Sequence, residues 1–281
     1  MKRLPALLLL MTIFFAAGCE RTIYRSLYNS LDTLIFRAVA RYVDPNRDQE
    51  RSIRGAIESL FRWHRQVELQ NYVATLRGLE KRMAAGLSGQ DLVWVRGRID
   101  RHRDDLFNAV ADDAAAILAS LDERQIDRLE RLLEERVAEM GKASRSSGRV
   151  REAGRNVVRF MEFVYGPLTN RQREDVARGV EMMEDIEGVR IRMYRERQAE
   201  FIALLRGGHG SAAVKEYLAR MLLEPERSYP EYYREAAARR DRAAVEGFLL
   251  FDRDLATPEQ RAHAIIMIRG LAEVLEELRG G

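Results

Sequence analysis

The sequence predicts an all-α fold, and three observations carry that prediction. Apolar residues recur at spacings of three and four along most of the chain, as in helices that bury one stripe. No run alternates apolar and polar residues, and no Asn-Gly or Asp-Gly turn joins β-branched stretches, so hairpins are not expected. Helix starts are also written out. Asn46 to Gln49, Asp122 to Gln125, Thr169 to Gln172 and Thr257 to Gln260 all fit the capping box. There the first side chain accepts from an orphan backbone N–H, and the Gln three residues on reaches back to the cap. A multi-helix bundle or an arched helical array without a sheet is expected.

The elements follow in order. A helix over 22–42 rests on Ile23, Leu27, Leu31, Leu34, Ala38 and Tyr42, with a flanking row at Tyr24, Tyr28, Ile35 and Val39. The Asn46 box opens a second helix over 46–86, and a third covers 89–119. The fourth, 122–141, starts at Asp122, with Leu121 and Ile126 as a hydrophobic staple and Leu129, Leu132, Leu133, Val137 and Met140 continuing its row. Further helices are expected over 150–165, 169–206, 211–223, 230–253 and 257–279. Pro258 stands at the first position of the last, where its missing N–H costs nothing. Ile265-Ile266-Met267-Ile268 resembles a strand but falls inside that helix. The second and sixth helices are long enough to be broken once. Gly141–Gly148 and Gly207–Gly210 are linkers, and 141–148 is the better candidate for a hinge.

The N-terminus has a separate logic. Lys2 and Arg3 precede an uncharged stretch from Leu4 to Ala17, and Gly18 then precedes Cys19, the single cysteine. A charged start, a short apolar run and small residues at a cut site make a secretory signal, and the run is short for a membrane span. Ala16-Ala17-Gly18-Cys19 resembles the lipobox of bacterial lipoproteins, departing from it at Ala16, where Leu is commoner. The resemblance implies cleavage between Gly18 and Cys19, a diacylglyceryl group on the Cys19 sulfur and acylation of the new amine. Residues 1–18 are then the leader and 19–281 a single helical domain anchored by lipid and facing the periplasm. Glu20 is not the Asp that retains lipoproteins in the inner membrane of enteric bacteria, so the outer membrane is preferred.

Composition narrows the function. The formal charge is +3, and Lys2 and Arg3 leave with the leader, a balance that argues against nucleic acid. Lysine occurs only at Lys2, Lys81, Lys142 and Lys215; the other cations are arginines. With Cys19 lipidated no thiol is left for a disulfide or a cysteine metal site.

Two further resemblances concern the mature chain. Leu168-Thr169-Asn170-Arg171-Gln172 is similar to the LTxxQ motif of the periplasmic stress proteins Spy and CpxP, with looser matches at Leu121–Gln125 and Ala256–Gln260. Those are small all-helical proteins that form cradle-like dimers and bind unfolded or partner proteins. Leu27 to Leu34, Tyr42-Val43-Asp44 and Trp63 to Tyr72 (WHRQVELQNY) resemble the YNNLDW-like start and WHRxTELPxY segment of an uncharacterised family of proteobacterial lipoproteins, departing at Thr33 and Gln70. That likeness implies a helical lipoprotein domain and no particular activity.

Chemistry-bearing patterns are sparse. His64 and Glu68 are four apart, within reach on one helix face, but His102, His209 and His263 are scattered and HExxH is missing, so no metal site or other cofactor is expected. Trp63, His64, Arg65 and Glu68 form a polar cluster and a candidate partner-binding spot. Tyr229, Tyr232 and Tyr233 around Pro230 form another, because tyrosines are favoured at interfaces, although core packing at a helix start explains them at least as well. There is no GxSxG, Walker loop or dinucleotide fingerprint, and no residue is assigned a catalytic role. The reading is a lipid-anchored, non-enzymatic envelope protein (an adaptor, sensor or chaperone-like cradle) with a protein partner. The alternative is an envelope enzyme acting on peptidoglycan or lipid.

Overall fold

The computed structural model describes residues 21–280. Residues 1–20, among them Gly18 and Cys19 of the expected cleavage site, lie outside the described residues, and side chains are described from Tyr28 onward, apart from Asn29, Pro225 and Glu226. The described chain is helical with no strand. The helices are α1 (Arg21–Val43), α2 (Arg47–Trp63), α3 (Leu69–Ala85), α4 (Gly89–Ala119), α5 (Glu123–Ser144), α6 (Arg149–Tyr165), α7 (Asn170–Glu181), α8 (Glu187–Arg206), α9 (Gly210–Leu222), α10 (Glu231–Leu250) and α11 (Pro258–Gly280). A single turn covers Pro225–Ser228, and π-helical segments cover His64–Glu68 and Phe251–Leu255.

Both expected breaks exist, in different forms. The 46–86 helix is interrupted by the first π segment, which passes directly into α3, whereas 169–206 divides into α7 and α8 around 182–186. Of the linker 141–148, Gly141 to Ser144 belong to α5, leaving four residues before α6. On α1 the buried side is the row containing Tyr28, with Leu31 and Val43, while Leu34 is exposed. The core face is therefore rotated towards the flanking row, because Tyr28 and Leu31 pack against the C-terminal end of α11 at Leu278.

The largest apolar cluster joins α1, α2, α4, α5, α8 and α9 through Val43, Ile53, Ala115, Ile126, Ile202 and Val214. A second gathers Met161, Tyr165, Leu168, Phe251 and Ala264 from α6, the turn after it, the second π segment and α11. Helix α11 lies along α3, with Leu76 against Ile268 and Ala272, and so ties the C-terminal elements to the N-terminal ones.

The four expected capping boxes, those that end in Gln, do more than start helices. Each Gln accepts its own cap's N–H: Asn46 on Gln49 and Asp122 on Gln125 at 3.0 Å, Thr169 on Gln172 at 2.9 Å, Thr257 on Gln260 at 3.0 Å. The Gln side chains then pair. Gln49 donates to Gln125 Oε1 at 3.1 Å and Gln125 to Gln49 Oε1 at 2.8 Å; Gln172 and Gln260 exchange bonds of 2.8 and 3.1 Å. Each amide also donates to the carbonyl two residues before its partner's cap, namely Ser120, Asp44, Leu255 and Pro167. Two helix–helix corners are thus locked face to face in each half of the chain, with the same wiring. This explains why all four boxes carry Gln: Glu serves a capping box equally well, but a carboxylate has no N–H to donate.

Candidate functional site

The first π segment builds the most polar part of the interior. A π turn adds a residue to the helix and shifts its face, so Glu68 and Leu69, adjacent in sequence, are both buried, at 0% and 1% exposure. A carboxylate so placed needs hydrogen bonds. Glu68 Oε1 accepts from Nδ1 of the buried His102 on α4 at 2.6 Å, and Oε2 accepts from Asn71 at 3.0 Å. The other side of the imidazole, Nε2, lies 2.8 Å from Thr75 Oγ1, which accepts from Arg98 Nε at 3.1 Å. With a neutral ring every donor points one way: Arg98 to Thr75, Thr75 to His102, His102 to Glu68. The Tyr72 ring covers His102 edge-on with centroids 4.6 Å apart.

His64 belongs to the adjoining part of the network. Its Nδ1 shares a 2.9 Å hydrogen bond with the Tyr28 hydroxyl of α1, and its ring packs on Tyr72 at 5.5 Å. Burial pushes the His64 pKa down to about 4, the nearby Glu68 opposing the shift and Arg65 adding to it, so the ring is neutral near pH 7. Burial likewise raises the Tyr28 and Tyr72 hydroxyls, against the pull of Arg65 at Tyr28 and with help from Glu68 at Tyr72. The expected His64–Glu68 pair is therefore not a direct contact: one turns to α1 and the other to α4.

Tyr28 also floors a cleft of about 710 Å³ between α1 and α2. Phe36, Ile57 and Phe61 supply apolar wall, and Arg54, Arg62 and Arg65 line it alongside Asp32 and Glu58. Arg54 stacks over Phe36 at 3.7 Å and Arg65 over Tyr28 at 5.3 Å. Trp63 is half-buried beside His64. Sequence reasoning thus found Arg65, on the cleft, and Glu68 and His64, behind it. It did not connect His102, Thr75 and Arg98, because a helix break that changes the face leaves no trace in apolar spacing.

The three tyrosines lie elsewhere, between α8 and α10. Tyr233 is buried with Ile186, Met193 and Ala236, its hydroxyl pushed up to about 12 by burial. Tyr229 and Tyr232 are half-buried under Arg197 and Arg192, at 4.6 and 3.6 Å. They make a core and its edge, with Tyr233 unavailable to a partner. The second π segment repeats the theme of the first: it buries Asp252, which accepts from the fully buried Tyr165 hydroxyl at 2.8 Å, and burial and that carboxylate raise the phenol's pKa. Among the described residues no group of three His, Cys, Asp or Glu could hold a metal ion, and no helix is long and apolar enough to cross a membrane.

No curated protein and no solved structure matches the chain. The model of a family described as being of unknown function, DUF6279, matches residues 41–234, a span that holds α2, the polar chain from Glu68 to Arg98 and the first paired-Gln corner. The chain belongs to this family of unknown function, DUF6279.

Proposed function

We propose that this helical protein is a lipid-anchored component of the bacterial cell envelope that faces the periplasm and works by binding another envelope protein rather than by catalysis. The observation that carries the reading is the leader: Lys2-Arg3, the uncharged stretch to Ala17, and Gly18-Cys19. The α1–α2 cleft supports the binding role, since it combines apolar walls with guanidinium groups stacked on aromatic rings, a surface suited to a peptide segment. The cleft's lining begins at Tyr28, nine residues after Cys19, which supports a partner seated near the anchor.

Photo-crosslinking amino acids at Glu58 and Gln66, on the cleft, and at Val93, away from it, test the reading in cells. A discrete protein adduct from the cleft positions, absent at Val93 and weakened by Arg65→Glu, is expected. The same adducts from all three positions would remove the cleft from consideration.

One observation favours the enzyme alternative: Glu68, His102 and Thr75 stand in the order acid, imidazole, hydroxyl. Against it, Thr75 is β-branched and in mid-helix, and Arg98 already holds its oxygen. Thr75→Ala separates the two readings. The binding account expects the envelope role and the crosslink to survive that change, whereas an enzyme would lose its activity.

A further inference from the structure

The chain has a formal charge of only +3, yet within 141–160 Lys142, Arg145, Arg149, Arg151, Arg155 and Arg159 face the single acid Glu152. Arg149 is committed to Asp185, and Arg159 bonds Asn156. Among the described residues neither Arg151 nor Arg155 makes an ion pair. Positions 151, 155 and 159 succeed one another every four residues and form one exposed row on α6.

Beside that row lies apolar surface. Phe160 is 49% exposed, and on α11, which packs against α6, Ile266 is 64% exposed. Between the two helices runs a shallow groove lined by Phe163, Pro167, Ile266 and Met267, with His263 at its edge. The one acid that lines the groove, Glu162, is engaged by Arg173 at 2.7 Å. On the packed neighbour α7, Asp175 is near Arg171 and Arg178, while Glu174 and Glu181 are exposed.

Exposed aromatic and aliphatic side chains beside arginines that lack acidic partners suit an interface that is apolar below and anionic at its rim. We infer that the α6–α11 face rests on an anionic phospholipid surface, with Phe160 and Ile266 at the acyl boundary and Arg155 and Arg159 among the headgroup phosphates. A polyanion would use the arginines and leave the apolar groove in water; an uncharged protein partner would do the reverse. Helix α11 links this face to the anchored end, for its Leu278 packs on Tyr28 of α1, and twelve residues separate Ile266 from Leu278, about 18 Å of helix. The face and the start of α1 are thus close enough to share one bilayer. The inference rests on the lipid-anchor reading only for what brings the protein to the membrane.

The test uses the lipidated full chain in vesicles of phosphatidylcholine alone or with a third phosphatidylglycerol. An environment-sensitive label is placed at Phe160→Cys or, as control, at Val93→Cys, which is 74% exposed on α4. In the anionic vesicles the label at 160 should shift to the blue and be quenched by brominated lipid, and the label at 93 should report water. Arg155→Glu with Arg159→Glu should abolish the difference without preventing flotation, each arginine removed weakening surface contact roughly fivefold. Equal signals at 160 and 93, or quenching at 160 that ignores both vesicle charge and the double variant, would overturn the inference. So would shielding of 160 only when other envelope proteins are added. If nothing floats on neutral vesicles the anchor reading has failed, and binding to anionic vesicles, sensitive to the double variant, then decides the α6–α11 face alone.

Discussion

Gln125→Glu is the most discriminating substitution in the fold. If Gln125 did no more than close its capping box, Glu would replace it at little cost, because its oxygen still accepts the Asp122 N–H. Gln125 is 1% exposed, however, and its amide also donates at 2.9 Å to the Val43 and Asp44 carbonyls and at 2.8 Å to Gln49 Oε1. A carboxylate would meet those three oxygens with no proton to offer. Leaving a buried polar group unpaired costs about 1–3 kcal/mol, so stranding the two α1-end carbonyls and setting a carboxylate against the Gln49 oxygen, which keeps only the Asn46 N–H, gives a loss of roughly 3–5 kcal/mol. Gln125→Ala should lose a similar amount, since it frees the same carbonyls and also orphans the Asp122 N–H. Urea unfolding followed by circular dichroism reads both variants. In a double-mutant cycle with Gln49→Ala the coupling should exceed about 1 kcal/mol, well above the additivity expected of independent sites. A Gln125→Glu protein as stable as the parent would refute the corner-lock account.

Other expectations follow from the same contacts. The folded His64 pKa, about 4 against 6.5 for the free side chain, means that the unfolded chain binds more protons between those values. Stability should therefore be full above about pH 6.5 and decline as pH falls towards 4, by roughly 3 kcal/mol if this group acts alone; His64→Asn should flatten that part of the profile. Thr169→Ala and Thr257→Ala should each cost on the order of 1 kcal/mol, since each threonine oxygen accepts one backbone N–H at 3.2 Å. A variant with a normal melting temperature but no partner binding would make those threonines contact residues instead. Glu68→Ala should destabilise by several kcal/mol, because it removes the acceptor of both His102 and Asn71; equilibrium unfolding that leaves it within 1 kcal/mol of the parent would contradict the buried network.

The all-α class and most helix boundaries were legible because they rest on local signals: apolar period, caps and glycine stops. The 89–119 helix coincides with α4, and Leu121 and Ile126 are buried as a staple should be. Even the corner locks left a mark, in four boxes that all end in Gln, although which box faces which is a matter of tertiary contact. The cleft and the polar chain were legible only in part. Arg65 and Glu68 were singled out by spacing and clustering, but His102 meets Glu68, with Thr75 and Arg98 bonded in turn behind it, where a π turn redirects the helix, and the partner helix α4 gives no hint of it. Clustering around Pro230 left the tyrosines open between a recognition patch and core packing at a helix start, and Tyr233 faces the α8–α10 core.

The proposed place of the protein in the cell turns on one covalent modification, and mass spectrometry of the N-terminal peptide of the full-length product made in a Gram-negative host tests it directly. The account predicts a chain that begins at Cys19, lacks residues 1–18 and carries the added mass of a diacylglyceryl group and an N-linked acyl chain. A free Cys19 thiol, or a chain that begins at any other residue, would contradict it.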